Sequence, residues 1–234
     1  MKSTATKQAL VAEFVGTALL LAAVVGSGIM GERLANGNVA IALLANSIAT
    51  GAVLVALILT FGPISGAHFN PAVSVADASQ HGLPWSHVGG YVVMQIIGAL
   101  VGVAVADVMF GEPVYAASQH VRSGLPQMFS EGVATFGLLS VIWGCSRRHP
   151  NAVAFAVGAY IAGAYWFTSS TSFANPAVTL ARAFTDTFAG IRLADVPGFV
   201  AGQLCGAAAA TMLFRWLAPA RATLPRLEKT ERVG

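Results

Sequence analysis

Apolar positions fall in six long blocks, approximately residues 10–30, 39–62, 88–110, 128–146, 152–168 and 195–217. Short stretches that collect proline, asparagine and most of the charge separate them. Within a block the apolar residues do not alternate strictly with polar ones, as a membrane barrel strand would require. A helix needs about 20 apolar residues to cross a hydrocarbon core, and each block can do so, with 152–168 at the short end. Two further apolar segments, about 70–79 and 175–184, are too short to cross and reach roughly half way. Backbone groups in lipid must be paired within their own segment, so the blocks are predicted as helices.

Both short segments begin with the same tripeptide, Asn70-Pro71-Ala72 and Asn175-Pro176-Ala177. Asparagine is a strong helix N-cap, and proline fits the first helical position, where a missing N–H costs nothing. The repetition extends beyond the tripeptide. Glu13 answers Glu131, Asn70 answers Asn175, and Gln95 answers Gln203, at offsets of 118, 105 and 108 residues. Three spans per half is an odd number, so the second half enters the membrane upside down relative to the first. The expected fold is an all-α membrane protein, with six transmembrane helices plus two re-entrant half-helices in an inverted repeat. Residues 1–234 read as one domain, with repeat one at about 8–110, repeat two at about 128–217 and a tail at about 218–234.

Composition agrees with that pattern: 56% of residues are hydrophobic, 10% are charged and the mean hydropathy is +0.69. The net charge of +3 is scattered or sits at span ends, which is no nucleic-acid signature. Lys2 and Lys7 precede an apolar run as in a signal peptide, but Glu13 lies inside that run and it continues to Met30, so it reads as a retained first span. With the N-terminus inside, the inner segments hold Lys2, Lys7, Arg147, Arg148, Arg215, Arg221, Arg226, Lys229 and Arg232, nine of thirteen basic residues. The positive-inside rule then predicts cytoplasmic N- and C-termini. Cys145 and Cys205 have no second ligand at helical spacing and read as inert small residues. No metal site, cofactor site, phosphate loop or catalytic triad is visible.

Two half-helices entering from opposite faces would place two positive N-termini at the midplane. With the side-chain oxygens of Asn70 and Asn175 used as caps, their NH2 groups are expected to face a lumen, donating to passing oxygens and disfavouring cations. Glu13 and Glu131 are intramembrane carboxylates, suited either to a proton relay or to holding backbone N–H groups of the re-entrant loops. Gln95 and Gln203 are expected to hydrogen-bond inside the bundle, with the small residues after them allowing close packing. His68 suits either a cytoplasmic pore mouth or loop packing.

The paired motifs, the repeated glutamates and the span pattern resemble the major intrinsic protein family of aquaporins and glycerol facilitators, over roughly residues 12–217. The resemblance implies a channel, four protomers each with its own pore, a bracing role for Glu13 and Glu131, and a selectivity filter. By position the filter would be Thr50, Gly163, Ser172 and Val178, all small, uncharged and non-aromatic. Val178 stands where most of the family has arginine, and Thr179 where glycerol facilitators usually have aspartate. Arg182, one helical turn beyond Val178, is placed either at an outer vestibule as a pore-mouth charge or as a solvated arginine at a helix end. The resemblance implies a passive channel in an inner (plasma) membrane for small uncharged solutes. A wide filter without arginine would favour polyols and hydroxylated metalloids such as arsenite, with some water. The alternatives are a mainly water-selective channel, a secondary transporter or a non-conducting membrane scaffold. Water, neutral solutes and the bilayer are the expected partners.

Overall fold

Two cap chemistries set where the chain turns inside the bundle. Asn70 and Asn175 both have extended backbone and accept hydrogen bonds from the N–H groups two residues on, while Pro71 and Pro176 open the helices that follow. The computed structural model describes residues 2–218, with side chains from residue 6. The expected tail beyond residue 218 lies outside the described residues.

The helices are α1 (Lys2–Leu34), α2 (Val39–Ser65), α3 (Pro71–Ser79), α4 (Trp85–Phe110), α5 (Leu125–Arg148), α6 (Val153–Phe167), α7 (Pro176–Ala181) and α8 (Val196–Leu217). Among the described residues five of them, α1, α2, α4, α5 and α8, are long and apolar enough to cross a membrane. The sixth block is realised as α6, whose 15 residues rise about 22 Å. The second short segment is shorter than its apolar run: α7 stops at Ala181 and tightens into a 3-10 turn over Arg182–Phe184.

The repeat is visible in the packing. α1 lies against α4 and α2, and α5 correspondingly against α8 and α6, while α2 and α6 join the halves. Small residues make these crossings close. A Cβ on Gly102 would meet the backbone carbonyl of Ala18, and one on Gly206 that of Gly132. Bare backbones in contact gain dispersion that lipid tails cannot match, which is how helices associate where hydrophobicity gives no preference.

Contacts between helix ends sort the chain into two faces. At one face Arg33, in the last turn of α1, pairs with Glu112, after α4, at 2.8 Å. At the other, Arg147 of α5 donates to the Phe214 carbonyl of α8 at 2.6 Å, and Arg215 of α8 donates to the Ser79 carbonyl at the end of α3. α3 therefore belongs to the face that holds the end of α8. α7 belongs to the other, where its 3-10 turn meets the α4–α5 loop through Ser118 N–H and the Ala183 carbonyl at 3.0 Å.

Replacing Gly102 or Gly206 by leucine should drive side chain into backbone and cost about 1–3 kcal/mol. The expected result is a lower melting temperature in detergent and less monodisperse protein on size exclusion. Leucine at Gly62, where a Cβ would meet nothing, should leave both unchanged.

Candidate functional site

The two half-helices meet N-terminus to N-terminus, and each asparagine reaches across to the other loop. Asn70 Nδ2 donates to the Ala174 carbonyl at 2.8 Å, and Asn175 Nδ2 donates to the Phe69 carbonyl at 2.7 Å. Their Oδ1 atoms accept from Ala72 N–H (2.9 Å) and from Ala177 and Val178 N–H (3.0 and 3.3 Å). The expectation of two wholly free NH2 groups is therefore corrected. One N–H of each amide ties the loops together, because neighbouring carbonyls lie within reach, and one remains. Both asparagines border a cavity of about 560 Å3 that extends from Asp77, Gly82 and Leu83 at one end to Tyr165 and Arg182 at the other. Pro71, Ala72, Pro176 and Ala177 set the caps and do not border it.

The loops ahead of the caps are held in unusual backbone. Ala67, Phe69, Thr171, Ser172 and Ala174 all have positive φ, from 49° to 60°. Such conformations cost about 1–3 kcal/mol each for residues with a Cβ unless the surroundings hold them. Two fully buried glutamates are those surroundings. Glu13 accepts His68 N–H at 3.0 Å, Phe69 N–H at 2.7 Å and the Ser65 hydroxyl at 2.6 Å. Glu131 accepts Phe173 and Ala174 N–H, both at 2.8 Å. Gln95 and Gln203 complete the two networks. Each Nε2 donates to its glutamate, at 2.7 and 2.6 Å, and also to Ser74 and Thr179 Oγ, at 2.9 and 2.8 Å.

His68 borders the cavity and is also pinned. Nδ1 is 3.1 Å from Ser74 Oγ, and Nε2 is 3.6 Å from an Asp77 carboxylate oxygen. His68 therefore lines the cavity while packing its own loop. Asp77 and Tyr91, which also border this end, carried no signal beyond their positions on helix faces.

The carried-over filter needs correction. Thr50, Ser172 and Val178 border the cavity, but Gly163 does not. It is exposed, and a Cβ there would meet nothing. The face of α6 that borders the cavity steps by one turn through Val157, Ile161 and Tyr165, and Gly163 lies on another side. Counting back from Asn175 fails because it crosses the loop after α6, whose length is not fixed by helical geometry. Tyr165 stands in its place, 3% exposed, with its hydroxyl 3.2 Å from Thr50 Oγ1. The ring is thus neither free of aromatics nor uniformly small. A step of four along α6 was the signal available in the sequence. Ser172 Oγ is buried with no hydrogen-bond partner among the described residues.

Of the two placements left open for Arg182, the solvated helix end is corrected. The residue is 2% exposed, not solvated, and borders the cavity. Its Nε donates to the Ala189 carbonyl and its guanidinium lies 3.4 Å from the centroid of the Phe173 ring. The loop that supplies Ala189 folds back over α7, which burial of a helix-end arginine requires and which no local pattern announces. Arg122, from the α4–α5 loop, sits 5.1 Å from the same ring and donates from Nε to the Gly190 carbonyl at 2.8 Å. Burial pushes its guanidinium below its ordinary value.

With this geometry in place, relatives can be compared. A family model described as Major intrinsic protein matches residues 1–151. The chain is 55% identical over 212 residues to "Aquaglyceroporin AqpS" of Rhizobium meliloti, covering 90% of this chain and 91% of the relative. It is 31% identical over 235 residues to "Probable aquaporin AqpM" of Archaeoglobus fulgidus, covering 88% and 95%. The crystal structure of the aquaglyceroporin from Plasmodium falciparum superposes with a TM-score of 0.70 at 21% identity, covering 91% of this chain and 96% of that one, which shows the shared fold.

Glu131→Gln puts an NH2 group against backbone N–H groups and the Gln203 amide, a loss of about 1–3 kcal/mol for each donor left unpaired. The expected outcome is less folded protein and a lower melting temperature, with the solute preferences of the surviving fraction unchanged. Normal folding with loss of a proton-dependent flux would instead identify a relay.

Proposed function

The chain belongs to the major intrinsic protein family, and from that premise we propose that it is a passive channel for polyols and hydroxylated metalloids such as arsenite, with some water passing as well. The observation that carries this reading is the cavity itself, which is bordered by both cap asparagines and lined by both apolar and polar groups. Leu54, Ile58, Leu138, Ile142, Val157 and Ile161 supply apolar surface, and Thr50, Asn70, Asn175, His68 and Tyr165 supply polar groups. A polyol has the same division, with C–H groups on one side and hydroxyls on the other. It can exchange hydration for wall contacts along its length, and an ion cannot. The neutral trihydroxide of arsenic presents the same hydroxyl surface.

Val178 sharpens the proposal. It is 5% exposed and borders the cavity with two methyl groups, where a guanidinium would add up to five donors and occupy the lumen. The similarity to a relative named as an aquaglyceroporin supports solutes larger than water. A mainly water-selective channel is the second reading, favoured by Tyr165, which brings an aromatic ring to the cavity beside Thr50. Four protomers, each with its own pore, an inner (plasma) membrane location and cytoplasmic termini complete the proposal, the last supported by Arg147 and Arg215 at one face.

The experiment is stopped-flow shrinkage and reswelling of proteoliposomes with water, glycerol and larger polyols, together with arsenite uptake. Reswelling with glycerol and uptake of arsenite, both insensitive to an ionophore, are expected. Water flux alone would select the second reading, and no protein-dependent volume change would remove both. Val178→Arg should lower glycerol and arsenite permeability about tenfold relative to water, the effect of roughly 1.4 kcal/mol on a barrier. An equal loss for all three would place the narrowest point elsewhere.

A further inference from the structure

We propose that Arg182 is the specificity-determining cation of this pore, supplying from one turn beyond Val178 both the hydrogen-bond donors for solute oxygens and the charge barrier against cations. The proposal rests on the channel reading above and assigns the selectivity of its outer end.

Three observations converge. First, Arg182 is 2% exposed yet borders the same cavity as Asn70 and Asn175. Second, it is rigidly held. Its Nε is committed to the Ala189 carbonyl and its face to the Phe173 ring, at 3.4 Å. Phe173 is fixed in turn by Glu131 through its N–H at 2.8 Å and by Phe199 edge-on at 5.1 Å. A guanidinium held this way cannot swing out to solvent.

Third, no carboxylate among the described residues contacts it directly. Buried cations are normally paired with a carboxylate. Among the described residues the ion pairs are Arg33 with Glu112, His68 with Asp77 and Arg192 with Asp195, and none involves Arg182 or Arg122. Nε is the only Arg182 nitrogen with a hydrogen bond to a described residue, so the N–H groups of Nη1 and Nη2 remain for oxygens in the lumen. Arg122, on the same Phe173 ring at 5.1 Å, adds a second positive charge behind it. The Thr50–Tyr165 hydroxyl pair borders the same cavity and offers further acceptors and donors to a passing solute. A neutral hydroxylated molecule can be satisfied by both sets of groups. A cation meets a guanidinium that no carboxylate contacts, in a low-dielectric passage.

The test uses the full-length protein in proteoliposomes, with water, glycerol and methylammonium as probes. The wild type should pass water and glycerol and exclude methylammonium. Arg182→Gln should raise methylammonium permeation about tenfold or more, as expected when a full charge leaves a low-dielectric passage, and should lower glycerol flux relative to water. Arg182→Lys, which keeps the charge and loses the planar fork, should exclude methylammonium again while glycerol flux stays depressed. A folded Arg182→Gln variant that excludes methylammonium as well as the wild type overturns the proposal and leaves the channel reading intact. A wild type that conducts nothing overturns the channel reading first. Should Arg182→Gln fail to fold, the wild type is treated with methylglyoxal, an arginine-selective dicarbonyl of three carbons, and labelled peptides are mapped by mass. Labelling of Arg182 in step with loss of glycerol flux, both slowed by excess glycerol, is expected. Loss of flux without label on Arg182, or label without loss of flux, overturns the proposal.

Discussion

Everything at the centre of this protein depends on two buried carboxylates that accept backbone N–H groups. A loop at membrane depth has donors that lipid cannot satisfy, each costing several kcal/mol if left unpaired. Glu13 and Glu131 satisfy them for the two loops, and that lets residues with side chains hold a backbone otherwise left to glycine. Gln95 and Gln203 then link each glutamate to Ser74 and Thr179 on the half-helices, so loop, brace and half-helix move as one body. The asparagines cross-bond only because both loops are held. Remove either brace and the caps lose their register, and with them the continuous cavity.

The packing of the long helices serves that centre. Gly102 against Ala18 and Gly206 against Gly132 bring backbones together at the two equivalent crossings. Close crossings keep α1 beside α4 and α5 beside α8, and therefore Glu13 beside Gln95 and Glu131 beside Gln203. The small residues are thus part of the site, although none borders the cavity.

How much of this was legible in the sequence follows from how local each feature is. Helix blocks, caps and the inverted repeat are short-range or periodic, and they read directly from Asn70, Asn175 and the repeated glutamates. The family resemblance placed Thr50, Ser172 and Val178 around one cavity, since Thr50 and Asn70 are joined without a change in loop length. It misplaced Gly163, because the loop after α6 intervenes, and Tyr165 went unnoticed although Val157 and Ile161 point the way to it at steps of four. Arg182 was placed by its turn of helix but not by its environment. Its burial depends on Phe173 and on a loop returning Ala189 from seven residues on, a tertiary event that hydropathy does not encode. Arg122 was invisible as anything but a loop charge for the same reason.

The repeat also makes the two ends of the cavity comparable residue by residue. At the offset of 105 that relates the asparagines, His68 corresponds to Phe173 and Asp77 to Arg182. Each end carries the same device, an aromatic ring from the loop against a charged side chain from the half-helix, with the sign reversed: His68 with Asp77 at 3.6 Å, and Phe173 with Arg182 at 3.4 Å. A backbone that is nearly indifferent to being turned over is therefore polarised by its side chains, negative towards one membrane face and positive towards the other. For a dilute neutral solute this asymmetry changes nothing at equilibrium, since a passive pore cannot favour a direction. For anything charged that lodges in a mouth without crossing, the two faces are different receptors. Block by an anion belongs to the Arg182 side and block by a cation to the Asp77 side.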